Sequence, residues 1–279
     1  MSIRIIERYT TKNPAYIKNV QQADSRYTDF QKSGAKGIVL HSIGTPQPSA
    51  KAIANYFDSP NVEASVHAVL QADGTCYQLA PWNYRMWHVG GSANNTHLGV
   101  EMTEPDCITY DAKNGYKLTI LDRERALQFV KQTYAAAVEL FADLCEKFGW
   151  DPLQDGVILS HAECYTRGIG SNHGDPEHLW NALKTNYTMD TFRRDVKNKM
   201  EENEMTLEKF SELMEEYNNT LKDNDCESWS EEARKWAVEK GIINGIGKLP
   251  TGESNYAWES PLTREQFVTM LYRFQKTLS

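Results

Sequence analysis

The 279-residue sequence contains no run of 18 apolar residues, which excludes a membrane-spanning helix of ordinary length. Its first residues, MSIRIIERYTTKNPAYIKN, carry no apolar h-region, so the start does not read as a secretory signal. Cysteine is sparse. Cys76, Cys107, Cys145, Cys164 and Cys226 are odd in number, widely spaced and without a CxxC pair. That pattern argues against a disulfide framework and for synthesis in a reducing compartment. No basic patch is present. The formal net charge is −8, and residues 201–279 hold 16 acidic against 9 basic side chains. Nucleic-acid binding is therefore not expected, and electrostatic adhesion to anionic polymers is disfavoured. Histidine, finally, is missing from the last hundred residues.

What is present suits a globular chain with one large and one small domain. GIVLHSIG (37–44) reads as a buried strand, and SAKAIANYF (49–57) as a short helix capped by Ser49. VHAVLQADGTCYQLAP (66–81) places two strands around an Asp-Gly turn. HLGVEMTE (97–104) and GVILS (156–160) read as further strands. Between 122 and 148 the apolar residues Leu127, Val130, Tyr134, Val138, Phe141, Leu144 and Phe148 recur at helical spacing, with Asp122 as N-cap and Gly149 as stop. The expected class is α/β: a mixed central sheet flanked by helices, followed by a small, mainly helical C-terminal domain.

The seven histidines concentrate the chemistry. His41 and His161 each end a short apolar run, and His173 lies beside Asp175 in HGDPEH. Two imidazoles at strand ends and a nearby carboxylate are the parts of an open zinc site, with three protein ligands and one position left for water. The ordinary alternative for each histidine is a core imidazole bonded to backbone.

The stretch HAECYTRGIGSNHGDPEHLW (161–180), together with VLHSIG, DGTCYQL, WHVGG (87–91) and LGVEM (98–102), resembles the zinc-dependent N-acetylmuramoyl-L-alanine amidases. These are the bacteriophage-lysozyme-like amidases related to peptidoglycan recognition proteins, and the resemblance runs in order through residues 30–185. It implies His41 and His161 as zinc ligands and Asp175, in its Asp-Pro context, as the third, where many relatives carry cysteine. His173 is the rival for that third position. Glu101 matches the general base, and His173 stands where relatives support the oxyanion. His67, His88 and Trp87 are candidates for lining the substrate groove. The implied reaction cleaves the amide between N-acetylmuramic acid and the L-alanine of the stem peptide.

SWSEEARKWAVEKGIINGIGKLPTGESNYAWESPLTREQFVTMLYRFQK, near the end, resembles a single S-layer homology repeat, with Thr263 placed to cap the last helix. The expected division is a catalytic domain over 1–188, a helical connector and linker over 189–228 ending in KDNDCES, and a wall-binding or self-associating module over 229–279. The whole then reads as a peptidoglycan hydrolase without membrane insertion, made in the cytoplasm and acting at the bacterial cell wall. A phage or prophage endolysin is the favoured origin. The alternatives are a bacterial autolysin and a non-catalytic peptidoglycan receptor.

Overall fold

A computed structural model describes residues 2–21, 24–203 and 206–278. It separates into two compact units, Met1–Asn203 and Glu204–Ser279.

The first unit is built on a six-stranded sheet. In chain order its strands are β1 (Arg4–Glu7), β2 (Gly37–Ser42), β3 (Ala68–Leu70), β4 (Thr75–Gln78) and β5 (His97–Met102). A two-stranded ribbon follows, β6 (Ile108–Asp111) with β7 (Lys117–Ile120), and then the sixth strand of the sheet, β8 (Ile158–Ser160). The spatial order is β1-β4-β3-β5-β2-β8, and only the β3–β4 hairpin pairs antiparallel. The expected mixed sheet is thus observed.

Side chains alternate faces along each strand, and this sorts the core. Ile38, Leu40, Leu98, Val100 and Met102 pack into the main core with the 26-residue helix Arg123–Phe148. Asp122 caps that helix by accepting from the Arg125 amide, and Gly149 ends it in the left-handed region. The intervening residues Val39 and Leu159 face the other way, onto Val89, Ala93 and Cys164. A short helix, Ala50–Phe57, capped by Ser49, covers Val66, Val69 and Leu79.

The helix Met189–Asn203 corrects the expected domain boundary. It belongs to the first unit, because Met189, Phe192 and Val196 are buried in the main core. Phe192 packs edge-on against Tyr134 and Phe141, with ring centroids 5.4 and 5.1 Å apart, and the Tyr134 hydroxyl donates to Asp195 at 2.7 Å. Polar composition concealed this, since only one face of the helix is apolar. Burying three such side chains contributes about 5 kcal/mol or more, comparable to the whole stability of a domain. A fragment ending at residue 203 should therefore unfold cooperatively on heating, while one ending at 188 should show no cooperative transition. Matching melting curves for the two fragments would restore the boundary at 188.

The second unit contains helices Leu207–Thr220, Glu231–Glu239 and Arg264–Thr277 and a two-residue hairpin, Gly247–Lys248 with Ser254–Asn255. Thr263 caps its last helix in a capping box with Gln266. The 222–228 segment is not a free linker. Asn224 donates to the Ser254 carbonyl at 2.9 Å and accepts from the Tyr256 amide at 2.8 Å, and Asn255 donates to the Lys222 carbonyl at 2.7 Å. A cavity of about 1200 Å³ opens in this unit, walled by Phe210, Met214, Ile246, Trp258 and Leu262 among others. Among the described residues no helix is long and apolar enough to cross a membrane.

Candidate metal centre

Sheet register brings the first two candidates together. His41 lies beside Glu101 on the neighbouring strand, and Leu40 beside Ser160, so His161 emerges next to His41. His161 opens the helix His161–Thr166, whose start is a capping box: Ser160 Oγ accepts from the Glu163 amide at 3.0 Å, and Glu163 accepts from the Ser160 amide at 3.1 Å. Arg193, from the helix that corrects the domain boundary, donates to both oxygens of Glu163 and to the Ile158 carbonyl at 2.9 Å. The Ser-x-x-Glu spacing at 160–163 was a legible signal for this start that composition alone did not reveal.

His41, His161 and Asp175 converge, all three buried. His41 Nδ1 lies 3.1 Å from Asp175 Oδ2 and 3.1 Å from His161 Nδ1, and His161 Nδ1 lies 3.4 Å from Asp175 Oδ1. Donors bound at about 2.0–2.1 Å around a tetrahedral zinc ion stand roughly 3.3 Å apart. The donor set and its spacing therefore fit zinc. Burial pushes the His41 imidazolium pKa down, keeping the ring neutral as a ligand must be. Burial opposes ionisation of Asp175, but the imidazoles of His161 and His41 beside it outweigh that and hold the carboxyl far below the usual carboxylate range.

His173 is exposed and is not part of the converging set. Its Nδ1 sits 3.0 Å from Ser171 Oγ, and its ring centroid is 4.4 Å from that of His161, at the rim of the cluster. Glu101 carries a buried Oε2 without a protein partner. Burial, with Asp175 and Glu104 nearby, pushes its carboxyl well above the ordinary value. A divalent cation alongside would act in the opposite direction.

Two groove candidates are placed differently from the sequence expectation. His67 is fully buried: its Nδ1 accepts from the Gly99 amide at 2.9 Å and its Nε2 faces the Tyr84 carbonyl at 2.7 Å. Both nitrogens are used by backbone, so His67 cannot reach a substrate. His88 also turns both nitrogens inward, toward His41 Nε2 at 2.9 Å and the His97 carbonyl at 3.1 Å. Trp87 remains half-buried, with the Lys18 ammonium 3.9 Å from its ring centroid.

A second polar cluster went unread in the sequence. Buried Glu104 accepts from the Gly44 amide at 3.2 Å and from the Tyr110 hydroxyl at 2.7 Å, and that hydroxyl lies 2.7 Å from His178 Nε2. Burial pushes Glu104 up to about 7 against those hydrogen bonds.

No described cysteine joins the cluster, and all five are free. Burial pushes the thiols of Cys76, Cys145 and Cys164 up to about 12. Only Cys226, half-buried, is open to reagents. Disulfide-exchange titration of native protein at pH 8 should give one fast thiol and four more on denaturation. Three or more fast thiols would contradict this packing.

A sequence model of the N-acetylmuramoyl-L-alanine amidase family, Amidase_2, matches residues 31–178, more than half of the chain. The chain belongs to this amidase family. The matched span contains His41, Glu101, His161, His173 and Asp175. Among curated proteins the chain is similar to N-acetylmuramoyl-L-alanine amidase BlyA of Bacillus subtilis (strain 168), 29% identical over 151 residues. That alignment covers 50% of this chain and 39% of BlyA, so the chain spans well under half of that relative. Among solved structures it is similar in fold to the Staphylococcus aureus hydrolase AmiA, at a TM-score of 0.53 and 20% identity, over 72% of this chain and 84% of that one. The catalytic domain of XlyA also matches, at a TM-score of 0.45 and 19% identity, over 70% of this chain and 99% of that one.

Proposed function

We propose that the first unit hydrolyses the amide between the lactyl group of N-acetylmuramic acid and the L-alanine of the peptidoglycan stem peptide. The observation that carries this reading is the convergence of His41, His161 and Asp175, with Glu101 beside His41 on the sheet, in a chain of the amidase family. Those three residues would hold zinc, which when bound supplies Lewis acidity that acidifies water toward neutral pH and polarises an amide carbonyl. Glu101 takes the proton of the attacking water and returns it to the leaving alanine nitrogen. Its buried, unpartnered oxygen is free for this transfer, and burial raises its affinity for the proton. His173, exposed at the rim, donates a hydrogen bond to the developing oxyanion.

We assign the activity to lysis of a host wall, as in an endolysin, and assign the second unit to wall binding or to self-association. Digestion of purified walls tests the reaction. The expected products are new L-alanine amino groups without new reducing sugar ends. New reducing ends would indicate a glycosidase instead, and no release at all would favour a binding protein. The fragment ending at residue 203 should give the same products, and a weaker hold on insoluble walls than the full chain would support wall binding by the second unit.

A further inference from the structure

His88 lies outside the ligand triangle, yet its contacts determine the state of one ligand. The His97 carbonyl oxygen, 3.1 Å from His88 Nε2, can only accept, so Nε2 carries the hydrogen. Neutral His88 then presents a bare Nδ1, which faces His41 Nε2 at 2.9 Å. His41 must donate there, so its hydrogen sits on Nε2 and its lone pair on Nδ1. That Nδ1 is the atom facing Asp175 and His161.

The His88 ring is firmly seated. A Cβ at Gly99 would come within 2.4 Å of His88 Cγ, so His88 packs against the bare backbone of β5. The backbone amides of His88 and Val89 both donate to Asn94 Oδ1 at 3.0 Å. An independent arrangement of the same kind serves the second histidine. Ser171 Oγ lies 3.1 Å from the Val89 carbonyl and 3.2 Å from His161 Nε2. Its hydroxyl donates to the carbonyl and accepts from His161, which again leaves Nδ1 bare.

We propose that His88 is a positioning residue, relaying the direction of the His97 carbonyl to His41 so that His41 meets zinc through Nδ1. The proposal rests on the zinc reading given above. Imidazole rather than another side chain suits the place, because a neutral ring offers one acceptor and one donor at fixed separation. Lysine or arginine would only donate and carboxylate would only accept, leaving either His41 or the His97 carbonyl unsatisfied. Without the relay, His41 populates both tautomers and ring orientations, and metal affinity falls although every ligand remains.

The test compares zinc affinity, by chelator competition, in the full-length wild type, His88→Ala and His88→Gln, with folding followed by circular dichroism. Wild type should bind one zinc. His88→Ala should bind about 10- to 100-fold more weakly. His88→Gln, whose amide can accept from His41 and donate to the carbonyl, should recover most of that loss. Nitrogen-15 spectra of the zinc-loaded wild type should show His41 bound through Nδ1 with hydrogen on Nε2, and His88 carrying its hydrogen on Nε2. Wild-type affinity in folded His88→Ala, or a His88 hydrogen on Nδ1, overturns the relay while leaving the zinc reading intact. Failure of the wild type to bind zinc overturns both. Should His88→Ala not fold, the Gln variant and the wild-type spectra decide the matter.

Discussion

Replacing His41 or His161 with alanine is expected to abolish stoichiometric zinc binding. Complete zinc sites are worth about 10–16 kcal/mol, so one ligand of three or four accounts for roughly 3–4 kcal/mol, or about 10²- to 10³-fold in affinity. Elemental analysis after dialysis against a weak chelator gives the readout. His97→Ala is the control. Its ring nitrogens engage the Gly156 carbonyl at 2.7 Å and the Thr96 hydroxyl at 2.8 Å, away from the cluster. That variant should lose stability and keep its metal. Asp175→Ala should behave like the histidine ligand variants, whereas His173→Ala should retain zinc and lose turnover. Retention of metal by Asp175→Ala with loss in His173→Ala would exchange the two assignments. Full zinc in either His41→Ala or His161→Ala would dismiss the site.

Glu101→Gln is expected to leave zinc and fold unchanged and to lower turnover by about 10²-fold or more. Glutamine keeps the shape but cannot take a proton. The folded protein should be no less stable, because burial already disfavours the charged carboxylate. A carboxyl with a raised folded pKa binds its proton more tightly folded than unfolded, so its contribution to stability falls as pH rises from the ordinary carboxylate range through the folded value. In the metal-free protein, removing that titration should flatten the decline of melting temperature over this interval. Turnover on a soluble muramyl peptide, with zinc content measured in parallel, decides the catalytic claim. Near-normal turnover would reduce Glu101 to a structural strand residue.

Local rules sufficed for much of this molecule. Short apolar runs identified β2 and β5, and the Asp-Gly turn identified the β3–β4 hairpin. Helical spacing with Asp122 and Gly149 bounded the long helix to within a residue. These features depend on neighbours a few positions apart, which a single sequence displays. Placing His41 and His161 at strand ends was legible for the same reason.

The tertiary structure decided what depends on distant partners. Asp175 and His173 are two residues apart and chemically comparable in sequence, but only Asp175 turns its side chain into the cluster, 134 positions from His41. His67 and His88 look alike as groove histidines. One is satisfied entirely by backbone and the other meets His41, 47 positions away. The helix over 189–203 looked like a polar connector because most of its surface is polar, and its three buried side chains acquire meaning only against Tyr134 and Phe141. Chain-local physics fixes which face a residue occupies. That His41 turns Nδ1 toward Asp175 and His161, and Nε2 toward His88, depends on partners that only folding brings within hydrogen-bond reach.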